Sequence, residues 1–397
     1  MDPVSNPYRP GAGNPPPALT GRDALLESFA VTLKRALAGK PDKSVMPIGL
    51  RGVGKTVLLN RFVDDAAKHG YVVGSGLIEA RESEQFPEHL AQRMRRILLQ
   101  LDNGASGKAR RAVSKALGIL SSFGLTLPDG TSFNLGLTPV KGSGDSGNLG
   151  EDITDLFVAA AEAASAQGRG VLIAIDEIQY LNNVEFGALI SAVHRTTQLN
   201  LPLVLVGAGL PMLPGLAGNS KSYSERLFAF PVIGKLENKD AREAIVMPAS
   251  DFDVTFTKQA LAKIIDVTEG YPFFIQEWAH EIWNHSAGPQ IRETDVDAVR
   301  SRVISKLDGD FFHVRLDRLT PTEKKYMRAM AQLGPGPHRS GDIAAIYDAK
   351  VETVAPLRAS LIRKGMIYSP AFGDTAFTVP LFHDFLKRSL PFKKAAQ

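Results

Sequence analysis

Two short runs hold residue types and spacings that do chemistry. The first is GLRGVGKT, residues 49–56, which fits G-x-x-x-x-G-K-[S/T]. A strand-like run precedes it and a helical run follows. Glycines let backbone N–H groups turn inward around a phosphate without Cβ clashes, and a helix N-terminus adds a partial positive field. In such a loop Gly49 and Gly54 set the turn, Lys55 reaches the β- and γ-phosphates of a nucleotide, and Thr56 offers a hydroxyl to Mg²⁺. Arg51, Gly52 and Val53 lie between the glycines and Val57 lies just beyond, so all four are expected to line the site. The second run is VLIAIDE, residues 171–177. It reads as a buried strand that ends in Asp176 and Glu177, at the carboxyl end where α/β proteins gather ligands. Asp176 suits the Mg²⁺ shell; Glu177 suits the orientation and polarisation of an attacking water. A strand-ending acidic pair alone is usually structural. Beside a phosphate loop it acquires meaning.

The base of the nucleotide is read by exclusion. Asp176 is followed by Glu-Ile-Gln rather than by two residues and a glycine, and the Asn-Lys-Asp at 238–240 puts its Asp one place early for a guanine reader. ATP is therefore expected over GTP.

These residues need elements to hold them. SVMPIGL, YVVGSGLI, VLIAIDE and LPLVLVGAG read as strands, three of them nearly continuous in apolar residues, with helices between. That alternation argues for a parallel sheet covered by helices. Pro47 is the exception, because a central strand would miss its N–H. Between residues 102 and 150 the rhythm breaks. Phe123, Leu125 and Leu127 alternate before Pro-Asp-Gly, and Phe133, Leu135 and Leu137 alternate after it, which predicts a β-hairpin within an insertion. Residues 236–312 read as all-helical. Residues 313–397 read as three helices and two short strands, a winged helix-turn-helix. There TPTE at 320–323 supplies an N-cap, a first-turn proline and a capping box. Residues 1–17, rich in Pro, Gly and Asn, are expected to form a disordered arm.

Composition bounds the rest. The 397 residues are 44% hydrophobic and 22% charged, with no cysteine, which excludes disulfides and thiolate metal sites. The N-terminus lacks a signal-peptide layout, and no apolar run approaches the ~18 residues that span a bilayer. A cytoplasmic protein without membrane contact is expected. The net charge of +4 is uneven: residues 316–397 hold 13 Lys/Arg against 7 Asp/Glu. A second basic cluster at 89–115 comprises Arg93, Arg95, Arg96, Lys108, Arg110, Arg111 and Lys115. Such patches suit duplex DNA, or are simply solvated helix faces.

Together these motifs resemble the AAA+ superfamily and its STAND relatives, especially bacterial ATPases grouped with origin-recognition initiators. The resemblance runs from about residue 18 to the C-terminus. It implies an α/β P-loop NTPase domain over 18–235, a helical lid over 236–312 and a C-terminal winged helix. ALTGRDALLESF resembles the motif that lies against adenine, which implicates Leu19, Gly21 and Arg22. Arg226, in SYSERLFAF, stands where many relatives keep an arginine finger that reaches a neighbour's γ-phosphate, implying a homo-oligomer; an ordinary surface arginine is the alternative. Gly270-Tyr271-Pro272 resembles the nucleotide-sensing GxP motif of STAND lids, or is a plain helix start. On the third helix of the winged unit, Arg358, Arg363 and Lys364 are the candidates for DNA contact, although such domains also dock proteins. One departure stands out. Residues 207–209 are Gly-Ala-Gly, where the family usually places a polar sensor residue.

Overall fold

The structure is a computed structural model that describes residues 1–11, 13–80, 86–122, 146 and 148–391. The hairpin expected over 123–137 lies outside the described residues.

The first half alternates as the apolar pattern demands. Helix α1 (Asp23–Leu37) leads to β1 (Ser44–Val45) and α2 (Lys55–Lys68). Next come β2 (Tyr71–Val72), β3 (Ile78–Glu79), α3 (Phe86–Asp102), α4 (Gly107–Ser122) and α5 (Leu149–Ser165). Then follow β4 (Gly170–Asp176), α6 (Asn183–Gln198), β5 (Leu203–Gly207), α7 (Leu213–Ser220), α8 (Ser224–Leu227) and β6 (Phe228–Ala229). Every pairing here is parallel. β4 is central, with β5 on one side and both β2 and β3 on the other, β2 at its start and β3 at its end. Every residue of β4 is buried. Its side chains alternate in destination: Val171, Ile173 and Ile175 enter the core under α3, α5 and α6, whereas Leu172 and Ala174 enter the core under α1 and α2.

β1 lies between β5 and β6 and resolves the Pro47 problem. Met46 and Ile48 donate their N–H groups toward β6, to Ala229 O at 2.8 Å and Pro231 O at 2.9 Å. Pro47 therefore faces β5, where its carbonyl accepts from Gly209 N at 3.2 Å and only its missing N–H is lost. Ser44 Oγ restores a rung by accepting from Leu205 N at 3.3 Å.

The second half is helical. It runs α9 (Asn238–Ser250), β7 (Thr255–Phe256), α10 (Lys258–Thr268), α11 (Pro272–His285), β8 (Gln290–Ile291) and α12 (Glu293–Lys306). A π-helical turn, Leu307–His313, carries the chain through α13 (Val314–Leu316) to α14 (Pro321–Gln332). The C-terminal unit continues as β9 (His338–Arg339), α15 (Ser340–Tyr347), α16 (Val351–Arg363), β10 (Ile367–Tyr368), β11 (Asp374–Phe377) and α17 (Phe382–Ser389), its antiparallel sheet ordered β10-β11-β9. Thr320 and Glu323 close the capping box that TPTE announces. The expected boundary at 312/313 is not a gap in packing. One core joins the lid to the C-terminal unit, with Phe312 stacked on Phe385 at 5.1 Å between ring centroids.

The N-terminal arm departs from expectation. It is extended but packs along the lid: Tyr8 is 2% exposed, Trp283 Nε1 donates to Asp2 O at 2.9 Å, and Asn6 Nδ2 donates to His280 O at 3.0 Å. Among its described residues, regular structure is limited to one 3-10 turn, Pro3–Ser5, capped by Asp2, and its backbone groups and one aromatic ring find partners on α9 and α11. The basic cluster at 89–115 is likewise divided. Arg93 is buried and turns inward to the carbonyls of Gly74, Gly76 and Leu77, pinning the link between β2 and β3. No helix among the described residues is long and apolar enough to cross a membrane.

Candidate active site

The loop between β1 and α2 needs two left-handed turns. Gly52 and Gly54 supply them at φ 81° and 90°, a region that costs other L-residues about 1–2 kcal/mol. The N–H groups of the first turn of α2 have no acceptor within the helix, so they face outward as donors. Lys55, at the start of α2, is buried. Its Nζ donates to Gly49 O at 3.0 Å and Leu50 O at 2.9 Å. Burial lowers its pKa to about 8; Arg51 adds to that effect, and Glu177 and Asp176 oppose it. An ammonium held this way gains strongly from an incoming anion.

Across the sheet edge, Thr56 Oγ1 donates to Asp176 Oδ2 at 2.6 Å. Burial raises the Asp176 pKa, and the Thr56 bond works against that rise. Two oxygens, one hydroxyl and one carboxylate, thus converge at one point beside the phosphate loop. This hard-oxygen pair suits Mg²⁺, which needs few protein ligands because it keeps waters and binds substrate phosphates.

Glu177 follows at φ 52°, a strained value for a residue with a side chain. Its carboxylate is engaged on both oxygens. Arg51 Nη1 donates to Oε1 at 3.0 Å, and Gln179 Nε2 donates to Oε2. Arg51 also donates to Tyr180 OH at 2.9 Å.

These groups open on a cleft of about 500 Å³ between the α/β half and the lid. Pro16, Ala18, Leu19, Val57, Leu236, Pro272 and Phe273 line its apolar part, and Lys55, Thr56 and Glu177 line its polar part. An apolar slot for a base beside a cationic loop and a hard-oxygen pair fits a magnesium nucleoside triphosphate.

Residues 18–206 match the AAA ATPase domain family. The chain is an ATPase. Residues 309–386 match a second family, described as a domain of unknown function (DUF8462). No curated protein matches the ATPase. Among solved structures, it is similar to a Walker-type ATPase of Pyrococcus abyssi, with 16% identity, 91% of this chain and 95% of that one covered, and a TM-score of 0.57. That likeness concerns the fold. It is also similar to the Orc1 protein of Aeropyrum pernix in complex with DNA, at 18% identity, 94% of each chain and a TM-score of 0.47. A third is the RuvB Holliday junction branch migration motor of Thermotoga maritima, at 16% identity, 95% and 99% coverage and a TM-score of 0.43.

Other residues singled out in the sequence of the ATPase fall in several places. Leu19 and Arg22 line the cleft, whereas Gly21, at φ 68°, packs beside it against Asp240. Arg22 Nη2 donates to Gly234 O at 2.8 Å, and Thr20 Oγ1 donates to Asp240 O at 2.9 Å. The Asp once weighed as a guanine reader thus holds this motif in place. Pro272 enters the cleft; Gly270 and Tyr271 stand behind it, and Phe273 N donates to Gly52 O at 3.2 Å, so the turn touches the phosphate loop directly. Arg226 lies exposed on α8, outside the cleft.

The three cations of α16 and its C-cap separate. Arg358 is committed inside its own unit, to Thr375 Oγ1 at 2.8 Å, Ser369 Oγ at 2.9 Å and Asp374 O at 2.8 Å. Lys364 pairs with Glu323 at 2.7 Å. Both are candidates for DNA contact in the sequence, and here both brace the fold; Arg363 and Lys364 are exposed. Sequence reasoning missed Arg9, Asn14, Gln276, Glu277, Lys306 and Phe311, which line the cleft from the arm and the lid. No local spacing marks them.

Proposed function

We propose that the ATPase is an ATP-driven switch. It binds Mg·ATP between the α/β half and the lid, hydrolyses it, and passes the nucleotide state to its C-terminal unit, a winged helix that acts on duplex DNA. One observation carries the coupling: the N–H of Arg51, in the phosphate loop, donates to Thr378 O in the C-terminal unit at 2.9 Å. A loop that grips phosphate while touching the output unit links the two states. Thr56 and Asp176 would hold Mg²⁺, which when bound supplies Lewis-acid stabilisation of phosphate charge. Lys55 adds positive charge at the phosphates, and Glu177 orients the attacking water and takes its proton. The base lies in the slot of Leu19, Val57 and Leu236. The excess of 13 Lys/Arg over 7 Asp/Glu in residues 316–397, with Arg363 exposed, supports a polyanion as target. Exposed Arg226 supports a finger that reaches a second copy.

A specific observation favours a second reading, in which the output surface docks a protein. Phe372, at the β10–β11 turn, is 100% exposed, and Arg358 and Lys364 are spent internally. Electrophoretic shift of duplex DNA by the full chain, across a salt series and with and without a non-hydrolysable ATP analogue, decides between them. The DNA reading expects a shift that weakens steeply with salt and changes with nucleotide. No shift at low salt, or a nucleotide-independent one, overturns it. Light scattering that gives a monomer with and without the analogue removes the finger.

A further inference from the structure

Residues 207–209 offer no polar side chain at the end of β5, yet the space there is filled. A Cβ added to Gly209 would lie 2.7 Å from Gln179 Oε1. Gln179 stands on the single 3-10 turn after β4, Ile178–Tyr180, and its amide spans the gap between the two strand ends. Its Oε1 accepts the N–H of Leu210 at 3.1 Å, and its Nε2 donates to Glu177 Oε2. We infer that Gln179 is a positioning residue for ATP hydrolysis, which holds the Glu177 carboxylate from the space that a side chain at 209 would otherwise take. The inference rests on the ATPase reading of Glu177.

The orientation of the amide is dictated. Only a carbonyl oxygen can accept the Leu210 N–H, so the NH₂ end must face the carboxylate. Glu177 needs such a hold. Its backbone is strained at φ 52°, and its other oxygen is bound by Arg51 at 3.0 Å, a cation inside the phosphate loop. Bound phosphates compete for that guanidinium, because phosphate is a strong bidentate partner for arginine. Once Arg51 turns to them, Gln179 is the remaining side chain that fixes Glu177. The small residue at 209 and the glutamine at 179 are then two halves of one arrangement: a larger residue at 209 would push the amide off the carboxylate.

The test uses the full chain with two readouts, steady-state hydrolysis of Mg·ATP and equilibrium binding of a fluorescent non-hydrolysable ATP analogue. Gln179→Ala and Gln179→Met should each lower kcat by about tenfold or more, with KM and the analogue's Kd within about threefold of wild type. Gln179→Met nearly preserves size and removes the donor without setting a second carboxylate beside Glu177, so it separates the hydrogen bond from space-filling. Gly209→Ala should lower kcat on its own and add little in a Gln179→Ala background, where the amide it displaces is gone and only Leu213 Cδ2, 3.1 Å from the same Cβ, has to give. Wild-type kcat in Gln179→Met, or effects of Gly209→Ala and Gln179→Ala that multiply, would overturn the inference alone. A wild-type chain that binds the analogue and never hydrolyses ATP would overturn the ATPase reading and the inference with it.

Discussion

Lys55 and Glu177 lie in one cleft and should fail in different ways when changed. The Lys55 ammonium is buried beside two carbonyls, at 2.9 and 3.0 Å, and in the proposed mechanism its charge serves the triphosphate in both ground and transition states. Lys55→Ala should therefore abolish measurable turnover and weaken ATP-analogue binding, by about tenfold or more in Kd. Glu177→Gln keeps the shape and removes the carboxylate that the proposed mechanism uses as the base. It should cut kcat by about 10²–10⁴-fold while binding stays near wild type. Equilibrium binding beside single-turnover hydrolysis checks the split; equal losses of affinity in both variants would contradict it. Much of this was legible in the sequence. The phosphate-loop residues sit within eight consecutive positions, and Asp176 and Glu177 end one apolar run, so a local pattern carries them. Their partners were not legible, because contact is made across the fold: Arg51 and Glu177 are 126 positions apart. Gln179 lies in the same run, but its role depends on Leu210, 31 positions away, whose N–H fixes the amide.

Between elements, the ion pair of Glu323 on α14 with Lys364 just after α16 is the clearest energetic claim. Glu323 is 3% exposed. Burial alone would raise its pKa, but the Lys364 ammonium, the Thr320 N–H and the Ser360 hydroxyl outweigh burial and hold the carboxyl at about 2, below its ordinary 4.5. A depressed folded-state pKa contributes stability that is present above 4.5 and is lost as pH falls from there through about 2. Lys364→Ala should destabilise the C-terminal unit by roughly 1–3 kcal/mol at neutral pH, because it strips a buried carboxylate of its charge partner. The gap between variant and wild type should narrow toward pH 2. Urea melts at pH 7 and pH 3 measure it, and a constant gap would refute the pair's role. The start of α14 was readable because TPTE is a complete local signal. α17 was not read, although Phe382, Phe385 and Leu386 are spaced for one helical face, because its entry through Leu381 at φ 58° has no cap signature. β9 has only two residues, too few for a period to show.

Across the whole molecule, the phosphate loop, the acidic turn and the C-terminal unit meet at one seam. Arg51 N donates to Thr378 O at 2.9 Å, Thr378 Oγ1 donates to Gly365 O at 2.7 Å, and a Cβ on Gly365 would stand 2.6 Å from Tyr180 OH. Gly365 also has φ 65°, so two constraints call for glycine there. Tyr180 OH in turn accepts from Arg51 Nη2 at 2.9 Å, the guanidinium that binds Glu177. Hydrogen bonds make these contacts, and a phosphate can compete for their donors, so the seam can report what fills the loop. Gly365→Ala should push Tyr180 aside and loosen the seam, with a backbone penalty of about 1–2 kcal/mol from the left-handed conformation alone. Hydrogen–deuterium exchange reads the consequence directly. In the wild-type chain, an ATP analogue should raise exchange across residues 365–378, because phosphates at the loop rim compete with the Thr378 carbonyl for the Arg51 N–H. Gly365→Ala should show that raised exchange without nucleotide, and the analogue should add little to it. If exchange in 365–378 is the same with and without the analogue in wild type, the loop does not signal through this contact. In that case the C-terminal unit would have to learn the nucleotide state through the lid, whose core it shares through Phe312 and Phe385.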